Sequence, residues 1–181
     1  MEDISLHILD IAENSIAAGA TIIKITIAED AGKDLLSVEI EDNGRGITDE
    51  FIRKVLDPFY TTRTTRKVGF GLSFLAQSAR EAGGDISIKS EEGKGAAISA
   101  CFKYSHIDRK PLGNIADTLI VLIAGNPQID FIYEHRRNAK VYSINTKEIR
   151  PELGEVPLNF PDVINVIRKD IEDGIKGLGM V

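Results

Sequence analysis

Residues 7–20 read HILDIAENSIAAGA, residues 38–47 read VEIEDNGRGI and residues 69–75 read GFGLSFL. The first stretch belongs to a helix predicted over 4–17. Asp3 serves as its N-cap and Gly19 ends it. Ile8, Leu9, Ala12 and Ile16 share one side of that helix, and His7, Asp10 and Asn14 share another. The second stretch ends a strand, 35–41, that Asp42-Asn43-Gly44 breaks. With TIIKITI (21–27) and the turn at 31–34 it forms a predicted hairpin. The third stretch opens a helix over 71–82 that Gly83-Gly84 terminates.

The elements between them fill out one layered unit. Thr48 caps a short helix whose apolar side carries Phe51, Ile52, Val55 and Leu56, and Pro58 stops it. Residues 59–69 are polar, basic and aperiodic, so they read as a loop. DISIKS (85–90) and AAISACF (96–102) are two more strands joined at Glu92-Gly93-Lys94-Gly95. Four strands and three helices give an α+β two-layer sandwich. Beyond Lys103 the pattern changes. Pro111 is expected to open a helix over 111–124, and IDFIYEH (129–135) and AKVYSI (139–144) suggest a further hairpin around Arg137-Asn138. Pro161 opens a last helix with Ile164, Ile167, Ile171 and Ile175 on one stripe. The expected division is therefore 1–105 and a C-terminal α/β appendage, 106–181, of helix, hairpin and helix.

Composition narrows the classes. The 181 residues are 43% apolar and 28% charged with a net charge of −6, the balance of a globular domain and the wrong sign for nonspecific nucleic-acid binding. One cysteine, Cys101, excludes a disulfide framework. The start MEDISLHILD has no basic leader, and the longest apolar run, 119–124, is too short to span a bilayer. A cytoplasmic protein with no membrane contact is expected.

Each of the three stretches has a chemistry and a plain structural alternative. Mg²⁺ takes one or two oxygen ligands from protein, and the Asn14 amide qualifies. Asp10, one turn earlier, is placed to act as a base near a γ-phosphate; alternatively the face is merely solvated. A carboxylate at the strand end, Asp42, suits the exocyclic amine of adenine, with glycines letting backbone approach the base; alternatively Asp-Asn-Gly is a common tight turn. Gly69-Phe70-Gly71-Leu72 before a helix offers N–H groups to phosphate, with Arg63, Arg66 and Lys67 adding charge; alternatively it is a glycine-capped helix after a surface loop. No Walker loop and no Rossmann glycine turn is present.

Taken in order, the stretches resemble the GHKL superfamily of gyrase B subunits, large heat-shock chaperones, sensor histidine kinases and MutL ATPases. The likeness covers about 4–103. Asp10 to Gly19 matches its N box, with Asn14 at the metal-ligand position, and 10–27 look like the MutL version. Asp42 to Ile47 matches the first glycine box, including Gly44, Gly46 and Ile47. Asp57-Pro58-Phe59-Tyr60-Thr61-Thr62 resembles the corresponding histidine-kinase box, followed by Arg63 at a phosphate-facing position. Gly69 to Ser73, through Gly71 and Leu72, matches the second glycine box. The resemblance implies the Bergerat fold, a mixed sheet with helices on one face, and an ATP site formed by Asn14, Asp42, Gly44, Gly46, Ile47, Phe59, Arg63, Gly69, Gly71, Leu72 and Ser73, with Mg²⁺ on Asn14 and Asp10 as catalytic base. Departures are Asp10 in place of the ATPase branches' Glu, Ala17 where many kinases carry Lys, Ala96 for a common Thr, and Ser73 for a common Gly.

Ser105-His106-Ile107-Asp108-Arg109-Lys110-Pro111-Leu112 resembles a kinase phosphoacceptor box, although its acid falls one residue late and the box follows the ATP unit. The plainer reading is a strand-to-helix junction. His7 reads as solvated or supporting, and His135, in a polar hairpin, as a surface residue. The function expected is an Mg-ATP-dependent ATPase or protein kinase in signalling. The alternative is a sensor that binds ATP or ADP and regulates a partner protein without turnover. A third reading resembles the anti-sigma serine kinases. A partner protein and a homodimer are both compatible with the appendage.

Overall fold

The computed structural model describes residues 3–56 and 71–179. Helix α1 (Ile4–Ala17) starts where Asp3 Oδ1 accepts the Leu6 N–H at 3.1 Å. Its buried side is Ile4, Ile8, Ile11 and Ala12. Leu9 and Ile16, read on the same side of the helix as Ile8 and Ala12, are only half-buried. Strands β1 (Ile22–Asp30) and β2 (Leu35–Asp42) form the expected antiparallel hairpin. Asp34, at φ 52°, turns the chain between them. Helices α2 (Asp49–Leu56) and α3 (Gly71–Glu81) and strands β3 (Asp85–Glu91) and β4 (Gly95–Lys103) follow.

The sheet is mixed, in the order β3-β4-β2-β1-β5-β6. Strands β5 (Asp130–Arg137) and β6 (Lys140–Asn145) form a hairpin. β5 pairs in parallel with β1, so the C-terminal segment continues the same sheet. Parallel neighbours need a crossover, and α4 (Ile115–Gly125) supplies it. Burial alternates with period two, and Ile23, Ile25, Ile27, Val38, Ile40, Ile98, Ala100, Phe131 and Tyr133 all lie on the buried face. Helix α3 packs on α1, α1 on α4, and α4 on α6 (Pro161–Gly177), forming the covering layer. The α+β sandwich with helices on one face is thus realised, with an α/β extension at its β1 edge.

Three local expectations change. Pro111 does not open α4, which starts at Ile115 with Asn114 as its N-cap. The carbonyls of Pro111 and Leu112 instead accept the N–H groups of Ile4 and Ser5 at 2.9 and 2.8 Å, satisfying the exposed start of α1. A helix α5 (Thr146–Leu153) forms where none was read, with Pro151 in its last turn. Asn145 caps it, and Arg150 fastens it to Asp130 Oδ1 at 2.7 Å and to the Ile129 carbonyl at 2.8 Å.

His135 is not at the surface. It is fully buried, its Nδ1 2.8 Å from the Tyr133 hydroxyl and its Nε2 2.9 Å from Glu29 Oε1. The alternation that placed a charged hairpin outside also turns every second β5 residue toward the helices. His135 shares that face with Phe131 and Tyr133. Among the described residues, no helix is long and apolar enough to cross a membrane.

Candidate functional site

At one end of the sheet, the helix layer leaves a cavity of about 500 Å³ between α1, α2, the start of α3, the end of β2 and the start of β4. Period two carries the buried face of β2 from Val38 and Ile40 to Asp42, so the last side chain of that face is a carboxylate. It does not stand free. Ser15 of α1 donates its hydroxyl to Asp42 Oδ2 at 2.6 Å, and the Gly44 N–H donates to Asp42 Oδ1 at 2.8 Å. Asn14, the residue before Ser15, is exposed at the rim of the same cavity. Ile11, Ile47, Phe51, Leu72, Ala96 and Ile98 form apolar walls. A largely apolar cavity with one oriented carboxylate and an amide at its mouth is the arrangement expected of a specific small-molecule site.

The loop after β2 is held by packing on protein. A Cβ on Gly44 would come within 3.2 Å of Ala18, whose carbonyl also accepts the Arg45 N–H at 3.0 Å. Gly46 has φ +79°, and a Cβ there would lie 2.6 Å from the Glu91 carbonyl. Ile47 N donates to Ser90 Oγ at 2.7 Å, and Ser90 in turn donates to the Gly95 carbonyl at 2.8 Å. Asn43 Oδ1 accepts the N–H groups of Thr21 and Ile22, both at 2.9 Å. These glycines therefore let the loop close onto α1 and the β3–β4 turn, which fixes the cavity floor.

Helix α3 begins at Gly71, and Leu72 lines the cavity while Ser73 is half-buried one residue on. Asp10 lies against this helix start. A Cβ on Gly71 would fall 1.9 Å from Asp10 Oδ2, so only glycine admits that carboxylate. Phe59, Arg63 and Gly69 lie outside the described residues, as do Arg66 and Lys67. Of the remaining expected site residues, Asn14, Asp42, Gly46, Ile47 and Leu72 line one cavity, Gly44 buttresses Asp42, and Asp10 and Gly71 meet beside it.

His106 is far from this group. It sits beside Gly83, just past the C-terminal end of α3, while the cavity is at the other end. At 1.5 Å per residue, about 15 Å of helix separates them. Its Nδ1 accepts the Asp108 N–H at 3.2 Å.

Sequence reading missed Ser15, which faces Asp42 across the cavity. Its only sequence signal is its place beside Asn14, and that alone does not distinguish a cavity-facing serine from a core-facing one.

A family model for histidine kinase-, DNA gyrase B- and HSP90-like ATPases matches residues 2–106. The chain belongs to this family. It is 31% identical over 93 residues to the sensor histidine kinase ZraS of Salmonella typhi, covering 51% of this chain and 20% of that one. It is 35% identical over 100 residues to the sensor protein SrrB of Staphylococcus aureus, covering 52% and 17%. The chain thus spans about a fifth of the length of these curated relatives. The crystal structure of the N-terminal domain of a DNA repair protein shares its fold at a TM-score of 0.52 and 18% identity, covering 80% of this chain and 52% of that one. As a member of the histidine kinase-like ATPases, the chain carries an ATP-binding domain of that type.

Proposed function

We propose that residues 1–105 bind Mg-ATP in the cavity at Asp42 and use it in signalling, as an ATPase or a protein kinase of the histidine-kinase type. The observation that carries this reading is the doubly held Asp42 carboxylate. With Ser15 and Gly44 donating to it, its remaining lone pairs face the cavity as acceptors. The exocyclic amine of adenine donates into them, while guanine would present a carbonyl. Ile47, Ile98 and Phe51 flank the base.

The triphosphate then runs toward α3, whose first N–H groups at Gly71, Leu72 and Ser73 favour anions. Phe59, Arg63 and Gly69 join the site in this reading by their likeness to the family boxes. The Asn14 amide oxygen fits a hard divalent cation, since it is exposed at the cavity rim; it would hold Mg²⁺, with phosphate oxygens and water completing the shell. Bound there, Mg²⁺ supplies charge neutralisation at the phosphates. Asp10 is the base that takes a proton from the attacking hydroxyl or water. We place the protein in the cytoplasm, with residues 106–181 docking a partner protein or a second copy. Transfer onto His106 would run between two copies, since α3 separates it from its own cavity.

A second reading, nucleotide sensing without turnover, is favoured by the placement of Asp10. Its carboxylate packs on Gly71 and is not in the cavity wall. Incubation with γ-labelled Mg-ATP separates the two. A kinase or ATPase yields labelled protein or free phosphate, both lost in Asn14→Ala. A sensor binds ATP and yields neither. An acid-labile label on the chain that His106→Ala abolishes assigns His106 as acceptor. Absence of any binding to ATP or ADP by calorimetry overturns both readings.

A further inference from the structure

His7 is 2% exposed, and among the described residues neither ring nitrogen has a hydrogen-bond partner. Buried polar atoms are almost always paired, and an unpaired one costs its full desolvation. An apolar residue at position 7 would serve the core better. The imidazole lies three residues before Asp10 on α1, a spacing that stacks the two side chains on one face. Among the described residues, the charged groups around it are Asp10, Asp3 and Lys110, and burial, acting first, lowers its pKa and keeps the ring neutral near pH 7. A neutral ring has one N–H to donate and one nitrogen to accept. Asp3 is already engaged, taking the Ser5 hydroxyl and the Leu6 N–H on its Oδ1. Asp10, half-buried and pressed against Gly71, is the acceptor in register with the unpaired ring.

We propose that His7 is a positioning residue: its imidazole N–H takes hold of the Asp10 carboxylate and turns it from Gly71 toward the cavity when nucleotide is bound. The inference rests on the reading of Asp10 as base. Asp is one methylene shorter than Glu, so its reach depends on orientation more than Glu's would. A hydrogen bond from below fixes one carboxylate oxygen and leaves the other facing the nucleophile.

The test uses the full chain with three variants. In His7→Leu, turnover should fall about tenfold or more with the ATP dissociation constant unchanged, while the melting temperature holds or rises. His7→Gln, which keeps an N–H donor, should restore part of the rate. The ¹⁵N shifts of the His7 ring, measured with Mg²⁺ and a non-hydrolysable ATP analogue, should show one neutral tautomer that changes in Asp10→Asn. Full turnover in His7→Leu overturns the proposal. So do ring shifts indifferent to Asp10→Asn, a result readable even if the chain turns over no ATP. If Asp10→Asn binds and turns over ATP normally, the base reading itself fails and the proposal with it. If Asp10→Asn is inactive but His7→Leu is not, only the proposal fails.

Discussion

The Ser15 hydroxyl donates to Asp42 Oδ2 at 2.6 Å, joining α1 to the end of β2 across 27 residues of sequence. This bond sets the direction of the only carboxylate lining the cavity among the described residues. Ser15→Ala should therefore weaken ATP binding by about 1 kcal/mol, the net value of one typical hydrogen bond, because Gly44 still holds the carboxylate. Calorimetry checks it, with the melting temperature as control for folding.

Asp42→Asn should cost more, about 1–3 kcal/mol of ATP affinity, because the acceptor loses its charge and half its capacity. The amide group would also have to turn a donor toward Ser15 or Gly44, both of which donate in the present arrangement. Unchanged ATP affinity removes Asp42 from the adenine role.

Asn14→Ala should abolish the magnesium dependence of ATP binding while leaving adenosine recognition in place. Titrations with and without Mg²⁺, using ATP and adenosine, measure the two separately. A variant that retains the magnesium effect reassigns the cation to other ligands.

Gly71→Ala forces a methyl group into the space that Asp10 Oδ2 occupies. Overpacking of this kind costs about 1–3 kcal/mol of stability. The methyl group is fixed to the helix backbone whereas the Asp10 side chain can rotate, so Asp10 should be displaced and turnover should fall. Gly71→Ala with normal stability and normal turnover contradicts the contact.

Glu29 gives an acid limit to stability. Burial raises its pKa, but the hydrogen bond and charge of His135, together with Arg137, outweigh burial and hold the carboxyl below the ordinary glutamate range. A folded value below the unfolded one contributes stability in full above the unfolded pKa, about 4.3, and loses it as pH falls through the folded value. Melting temperature should be flat near neutrality and drop below about pH 4. Glu29→Gln should melt lower at pH 7 and lose part of that acid slope.

The opposite ends of β1 show what could be read without coordinates. The strand itself was legible, since β-branched residues at period two have one compatible geometry. So were the turn after Asp42 and the glycine before Leu72, because chain reversal and helix starts are set by local sterics. Asn14 and Asp42 stood out by residue type and position. Ser15, Ala18 and Ile98 did not, since nothing local says which of several core-facing residues borders a void. His135 was misread for the same reason: three buried polar groups satisfy one another only after β5 lies beside β1.

The sequence by itself determined the local elements, the two glycine turns and the identities of the amide and carboxylate, because each follows from backbone sterics and side-chain chemistry within a few residues. Only the tertiary structure decided that β5 continues the sheet beside β1, that Ser15 aims Asp42, that Asp10 rests on Gly71 and that His106 lies a helix length from the cavity. Those are relations between distant parts of the chain, fixed by how the helix layer buries one face of the sheet.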